Sequence, residues 1–187
     1  ELWSVHGGKF YRVLKYGVAP ERLPRTLHWF KYEAYFTWIS GFALLSLVYY
    51  LEPRAYLIDA RVRALNEWVA VAIGVGTLVG GWTAYHVLCK TPLARRPVPF
   101  AVLGFALVFG SRAAYIHVGA LLGTMMAWNV FFVIIPNQKV VVKAMEEGRE
   151  PDPRLGEEGA QRSLHNNYFT LPVLFIMVSN HYPMTFG

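Results

Sequence analysis

The residues best suited to chemistry are six histidines and one short arginine–amide run, set in a chain with few charges. Ionisable groups at membrane depth are costly and usually functional. A neutral imidazole on a helix is the usual axial ligand of haem b in membrane bundles, where two helices each supply one ring. His117 and His181 are the candidate pair for a haem iron, and Arg112 stands where it could pair with a haem propionate. By the 3.6-residue period, His117 shares its face with Leu121, Thr124 and Trp128. The competing reading of each ring is an interfacial histidine bonded to backbone or water. His165 and His181 are 16 residues apart, about 160° around a helix, so they cannot serve two cofactors stacked on one face.

The run Arg162–Ser163–Leu164–His165–Asn166–Asn167–Tyr168 puts a cation, an imidazole and two amides at the mouth of an apolar block. Such a set can hold a flat anionic heterocycle, because amides pair with ring N–H and C=O edges and arginine with the charge. Gln138 and Lys139 fall on the same side, as does His86. The plainer alternative makes Asn166 and Asn167 caps for free backbone N–H groups. The sequence carries no nucleotide-binding loop, nucleophile elbow or zinc spacing.

Long apolar blocks must position these groups. Charged residues make up 16% of the chain against 55% hydrophobic, well below the roughly one quarter charged of soluble domains. A helix needs about 20 residues to cross the hydrocarbon core. The blocks predict an all-α, polytopic transmembrane helical bundle forming a single domain over 1–187. Its five spans run at about 32–51, 66–89, 98–111, 113–135 and 164–181. Pro20 and Pro24 break any long helix before the first span. The charged segment 137–163 is expected to extend the fourth helix by a few turns and then become a solvated loop. The pairs Gly76/Gly80 and Gly119/Gly123 mark faces for close helix packing, or room for a flat cofactor.

The net charge of +6 does not point to nucleic acid, because the basic residues lie in the connections between apolar blocks and form no continuous face. Fourteen Lys and Arg residues fall on the side of the N-terminal segment, and four on the other. The positive-inside rule makes the first side cytoplasmic. His28, His86 and His165 then lie near the inner face, His117 and His181 near the outer, and His6 in the N-terminal segment. The single Cys89 excludes an intrachain disulfide and a thiolate metal cluster, and reads as a buried structural thiol.

Three stretches, SVHGGKFYRVLKYGVAPERLPRTLHWFKYEAYFTWISGFALL, HVGALLGTMMAWNVFFVIIPNQKVVVKA and LHNNYFTLPVLFIMVSNHYP, resemble the bacterial membrane-bound, cytochrome-c-linked urate oxidases, also called urate hydroxylases. The resemblance implies an eight-span protein of the bacterial inner membrane, with one span before Glu1, more after Gly187, and a cytochrome c domain beyond. No CxxCH haem-attachment motif occurs here. It also implies oxidation of urate to 5-hydroxyisourate in purine catabolism, with electrons passed to that domain or to a soluble cytochrome c. On this reading Arg162, Asn166, Asn167 and Gln138 bind urate and His165 or His86 accepts a proton. A haem b between His117 and His181 carries electrons outward. A non-catalytic haem-carrying or anchoring subunit, or a purine transporter, would share the spans and histidines without needing the amide–arginine cluster.

The charge asymmetry sets orientation. In intact cells an impermeant thiol reagent should label Asp59→Cys and spare Glu157→Cys, and labelling of Glu157→Cys from outside would reverse the topology.

Overall fold

A computed structural model describes residues 2–6, 9–14, 16, 20–23, 27, 29–61, 63–91, 111–179, 181, 182 and 184. Apart from one hairpin, all regular structure among them is helical. The hairpin pairs β1 (Leu2–His6) with β2 (Lys9–Val13) in antiparallel register, Leu2 opposite Val13 and His6 opposite Lys9. Helix α1 (Tyr32–Leu45) runs into a π-helical turn over Ser46–Tyr50, in which the Leu51 N–H donates to the Ser46 carbonyl at 3.0 Å. A single-turn helix α2 (Pro53–Tyr56) follows.

Helix α3 (Glu67–Leu88) starts where Asn66 caps it, its side-chain oxygen accepting from the Trp68 N–H at 3.0 Å, which satisfies one of the free first-turn donors. Helix α4 (Ser111–Asn129) passes through a π turn (Val130–Ile134) into α5 (Ile135–Glu146), giving one continuous rod. Pro136 sits in the first turn of α5. A proline there lacks the N–H its i−4 carbonyl needs, and a widened turn is one way a helix absorbs the loss. The 98–111 span lies, apart from Ser111, outside the described residues.

The segment 137–163 is not a solvated loop. It is two helix ends joined by a six-residue turn. Gly148 takes φ +69°, the left-handed conformation that glycine tolerates best. The Arg149 N–H then reaches the Ala144 carbonyl at 2.8 Å and the Gly148 N–H the Met145 carbonyl at 3.0 Å, a Schellman closure that satisfies the last carbonyls of α5. Asp152 caps the next helix by accepting from the Arg154 N–H at 2.9 Å, and Pro153 opens α6 (Pro153–Ser179), where its fixed φ suits a first helical position. Helix α6 therefore starts eleven residues before the apolar block that announces it.

Helix α4 is the hub, packed on α1, α3 and α6. Its contacts are tight where glycine removes a side chain. A Cβ on Gly119 would lie 2.6 Å from Ile176 Cγ2 of α6, and one on Gly81 would lie 2.6 Å from Leu121 Cδ1. A Cβ on Gly74 would lie 3.0 Å from the Tyr50 hydroxyl and 3.2 Å from His117 Nε2. The close-packing glycines are therefore 74, 81 and 119, because 76, 80 and 123 have nothing within 4 Å. Leu45, Tyr49, Leu57, Ala70, Leu78, Ala113 and Leu121 form the buried core. The outward face of α6 is apolar, exposing Leu171, Leu174, Phe175, Met177 and Val178.

Among the described residues two helices, Glu67–Leu88 and the Arg112–Glu146 rod, are long and apolar enough to cross a membrane. Gly119→Leu should lower the unfolding temperature in detergent by an amount equivalent to about 1–3 kcal/mol of overpacking. Gly123→Leu should be neutral, and equal effects from the two would contradict the packing at α4–α6.

Candidate functional site

One face of α6 carries Arg162, His165, Asn166 and Phe169, at the i, i+3, i+4 and i+7 spacing that lines a single helix stripe. It meets the C-terminal turns of α3, which present Tyr85, His86 and Cys89, and the end of α4, which presents Asn129. Arg162 is fully buried. Its Nη2 lies 3.4 Å from both Nδ1 and the carbonyl oxygen of His86, and its guanidinium carbon sits 5.0 Å from the Tyr85 ring centroid. Its Nε and Nη1 are buried without a hydrogen-bond partner. No ion pair among the described residues engages it.

Beside the cation runs a hydrogen-bond chain whose directions are fixed at one end. The Asn166 Nδ2 donates to the Met126 carbonyl at 3.0 Å, and a carbonyl can only accept. The Asn166 Oδ1 must therefore accept, and the Asn129 Nδ2 donates to it at 3.0 Å and to the Tyr85 hydroxyl at 3.0 Å. With its oxygen accepting from Asn129, the Tyr85 O–H is free to donate to His165 Nδ1 at 2.8 Å. In the neutral ring the proton of His165 is then on Nε2. Asn129 is itself fully buried, and its Oδ1 is left without a donor. The Trp82 ring stacks on His86 with centroids 4.9 Å apart and an interplanar angle of 25°. Its buried indole N–H is also unpartnered.

The opposite end of the bundle, around His117, has a different character. His117 is fully buried. Its Nδ1 lies 2.8 Å from the Ala113 carbonyl and so carries the proton of the neutral ring. Its Nε2 accepts from the Tyr50 hydroxyl at 3.0 Å. A haem iron would need that same Nε2. The ring nitrogen is closed off by Tyr50 and faces Gly74, where even an added Cβ would lie 3.2 Å away. His181 is exposed in the turn after α6. Arg112 is exposed and lines a cavity of about 340 Å³ with Tyr56, Ile58 and Asp59. The residues as placed do not fit a haem held between His117 and His181. No group of three or more His, Cys, Asp or Glu side chains among the described residues could hold a metal ion.

The structure thus brings Arg162, His165, Asn166 and His86 together, and leaves two expected partners outside. Asn167 is exposed, being one residue and about 100° round from Asn166. Gln138 is exposed on α5, where the inward amide is Asn137, whose Nδ2 donates to Glu158 Oε2 at 3.1 Å. Sequence reasoning missed Tyr85, Asn129 and Trp82. The available signal was Asn129, a lone amide inside an otherwise apolar run.

A family model described as Urate oxidase N-terminal matches residues 1–187. Comparison with curated proteins and with solved structures finds no match.

Tyr85→Phe removes the hydroxyl that serves both Asn129 and His165. Leaving those groups unpaired should cost about 1–3 kcal/mol, read as a lower unfolding temperature of the full-length protein in detergent. Unchanged stability would show that the chain does not hold these helices together.

Proposed function

The chain belongs to the urate oxidase N-terminal family, and from that premise we propose that it is the membrane-embedded, substrate-binding part of a cytochrome-c-linked urate oxidase. The membrane reading extends the two crossing helices to a five-span inner-membrane bundle. It is supported by the apolar outer face of α6 and by α1 with its π turn, which together cover 32–50.

One observation carries the assignment of the site: Arg162, a fully buried guanidinium with two nitrogens lacking partners. An uncompensated buried charge is strongly destabilising, so such a group is kept where an anion completes it. Urate near neutral pH is largely a monoanion, and its carbonyl-rich rim accepts from the free guanidinium nitrogens. The Trp82 ring, whose buried N–H also lacks a partner, stacks on His86, which in turn contacts Arg162.

The reaction adds water oxygen to C5 of urate. Urate and one water give 5-hydroxyisourate, two protons and two electrons, the electrons passing one at a time to a c-type haem on the outer side. His86 is better placed than His165 to take a proton. The His165 Nδ1 already accepts from Tyr85, whereas the His86 Nδ1 faces only a 3.4 Å contact from Arg162, which loosens once urate draws the guanidinium. An imidazole suits the task because its ordinary pKa is near neutrality.

Arg162→Gln should lower kcat/KM for urate-dependent cytochrome c reduction by about a hundredfold, the worth of a charged hydrogen-bonded contact. The same change should leave the urate-free protein as stable or more so, since it removes an unpaired buried charge. Lower stability with normal turnover per folded molecule would make Arg162 a structural residue and end this assignment.

A further inference from the structure

The reading of Arg162 accounts for an anion but not for the identity of the anion. Among the described residues, the unpartnered buried side-chain atoms at this end are three donors, Arg162 Nε and Nη1 and Trp82 Nε1, and one acceptor, Asn129 Oδ1. A simple inorganic anion would use the donors and leave the acceptor unpaired. A buried carbonyl oxygen without a donor is costly, and here it cannot escape by turning. Both hydrogens of the Asn129 amide are committed, to Tyr85 and to Asn166. Flipping the amide would set its oxygen against the Asn166 oxygen, whose own direction is fixed by the Met126 carbonyl.

The acceptor and the cation are carried on the same tyrosine. Asn129 donates to the Tyr85 hydroxyl at 3.0 Å, and the Arg162 guanidinium carbon lies 5.0 Å from the Tyr85 ring centroid. The complementary ligand is a planar anion with several carbonyl groups and at least one ring N–H.

We infer that Asn129 is the specificity-determining residue of this site, its Oδ1 accepting a hydrogen bond from one ring N–H of the bound purine anion. The inference rests on the reading of the cluster as the urate site. Asn129 moves no proton and no electron in the reaction. Its effect is to reject ligands that lack an N–H at that position, because they strand its oxygen. A site built to bond a substrate N–H discriminates far more strongly against its loss than an apolar pocket does against a missing methyl group.

The experiment uses the full-length protein in its membrane, with urate and its 1-, 7- and 9-methyl derivatives as substrates and cytochrome c reduction as the readout. The wild type should handle at least one methylurate about a hundredfold or more less efficiently than urate in kcat/KM. In Asn129→Ala and Asn129→Ser the gap for that same derivative should narrow to about tenfold or less, while the gaps for the others change little. An unchanged gap in folded variants overturns the inference, and would mean that Oδ1 binds water. If neither variant accumulates, the wild type alone decides: methylurates all turned over within about threefold of urate show that no ring N–H is read. Failure here leaves the urate site standing so long as Arg162→Gln lowers kcat/KM for urate by about the expected hundredfold. Normal turnover in Arg162→Gln removes the site itself.

Discussion

The Arg162 end of the bundle depends on one phenol. Tyr85 projects from α3, accepts from Asn129 on α4 and donates to His165 on α6, so a single oxygen joins three helices. Between apolar helices a polar group has no water to fall back on, and its partners must come from its neighbours. The use of Tyr85 in both directions makes the network directional, and the directions propagate. With the Met126 carbonyl anchoring Asn166 at the far end, every amide and ring in the chain has one allowed orientation. The orphaned oxygen of Asn129 is therefore a property of the packing as a whole.

The two ends of the bundle obey the same physics with opposite outcomes. At the His117 end, His117, Tyr50 and the Ala113 carbonyl close on one another, and Gly74 lets α3 approach until the pair is sealed. No buried polar side chain described there is left without a partner. At the Arg162 end the described polar atoms outnumber their partners, with donors in excess. A histidine buried in a helical bundle is thus not by itself a cofactor ligand, because what matters is whether its second nitrogen is already committed.

Much of this was legible in the sequence. Apolar block length placed the first helix at 32–51 against 32–50 observed, and the second at 66–89 against 67–88. The polar start of the last apolar block was legible because a cation, an imidazole and amides set against apolar surface are costly unless used. Choosing between Asn166 and Asn167 needed only the helical period referred to Arg162 and His165. The start of α6 was also written in the chain, as Gly148, Asp152 and Pro153, but hydropathy hid it because that part of the helix is polar. Tyr50 against His117 and Tyr85 against His165 were not legible. They join residues 67 and 80 positions apart, and a single sequence holds no signal for which tyrosine meets which ring.

The π turn over Val130–Ile134 has a geometric consequence for the rod that contains it. Asn129 and Asn137 are eight residues apart and both reach α6, the first at Asn166 and the second at Glu158 and the Leu155 carbonyl. On an uninterrupted α-helix eight residues rotate by about 80° beyond two full turns, which would swing one asparagine away from the neighbour. An i→i+5 turn holds about one residue more than an α turn and so takes back about 100°, leaving the two side chains nearly in phase. The widened turn acts as an angular shim, aligning a contact outside the apolar block with one inside it across a single pair of helices.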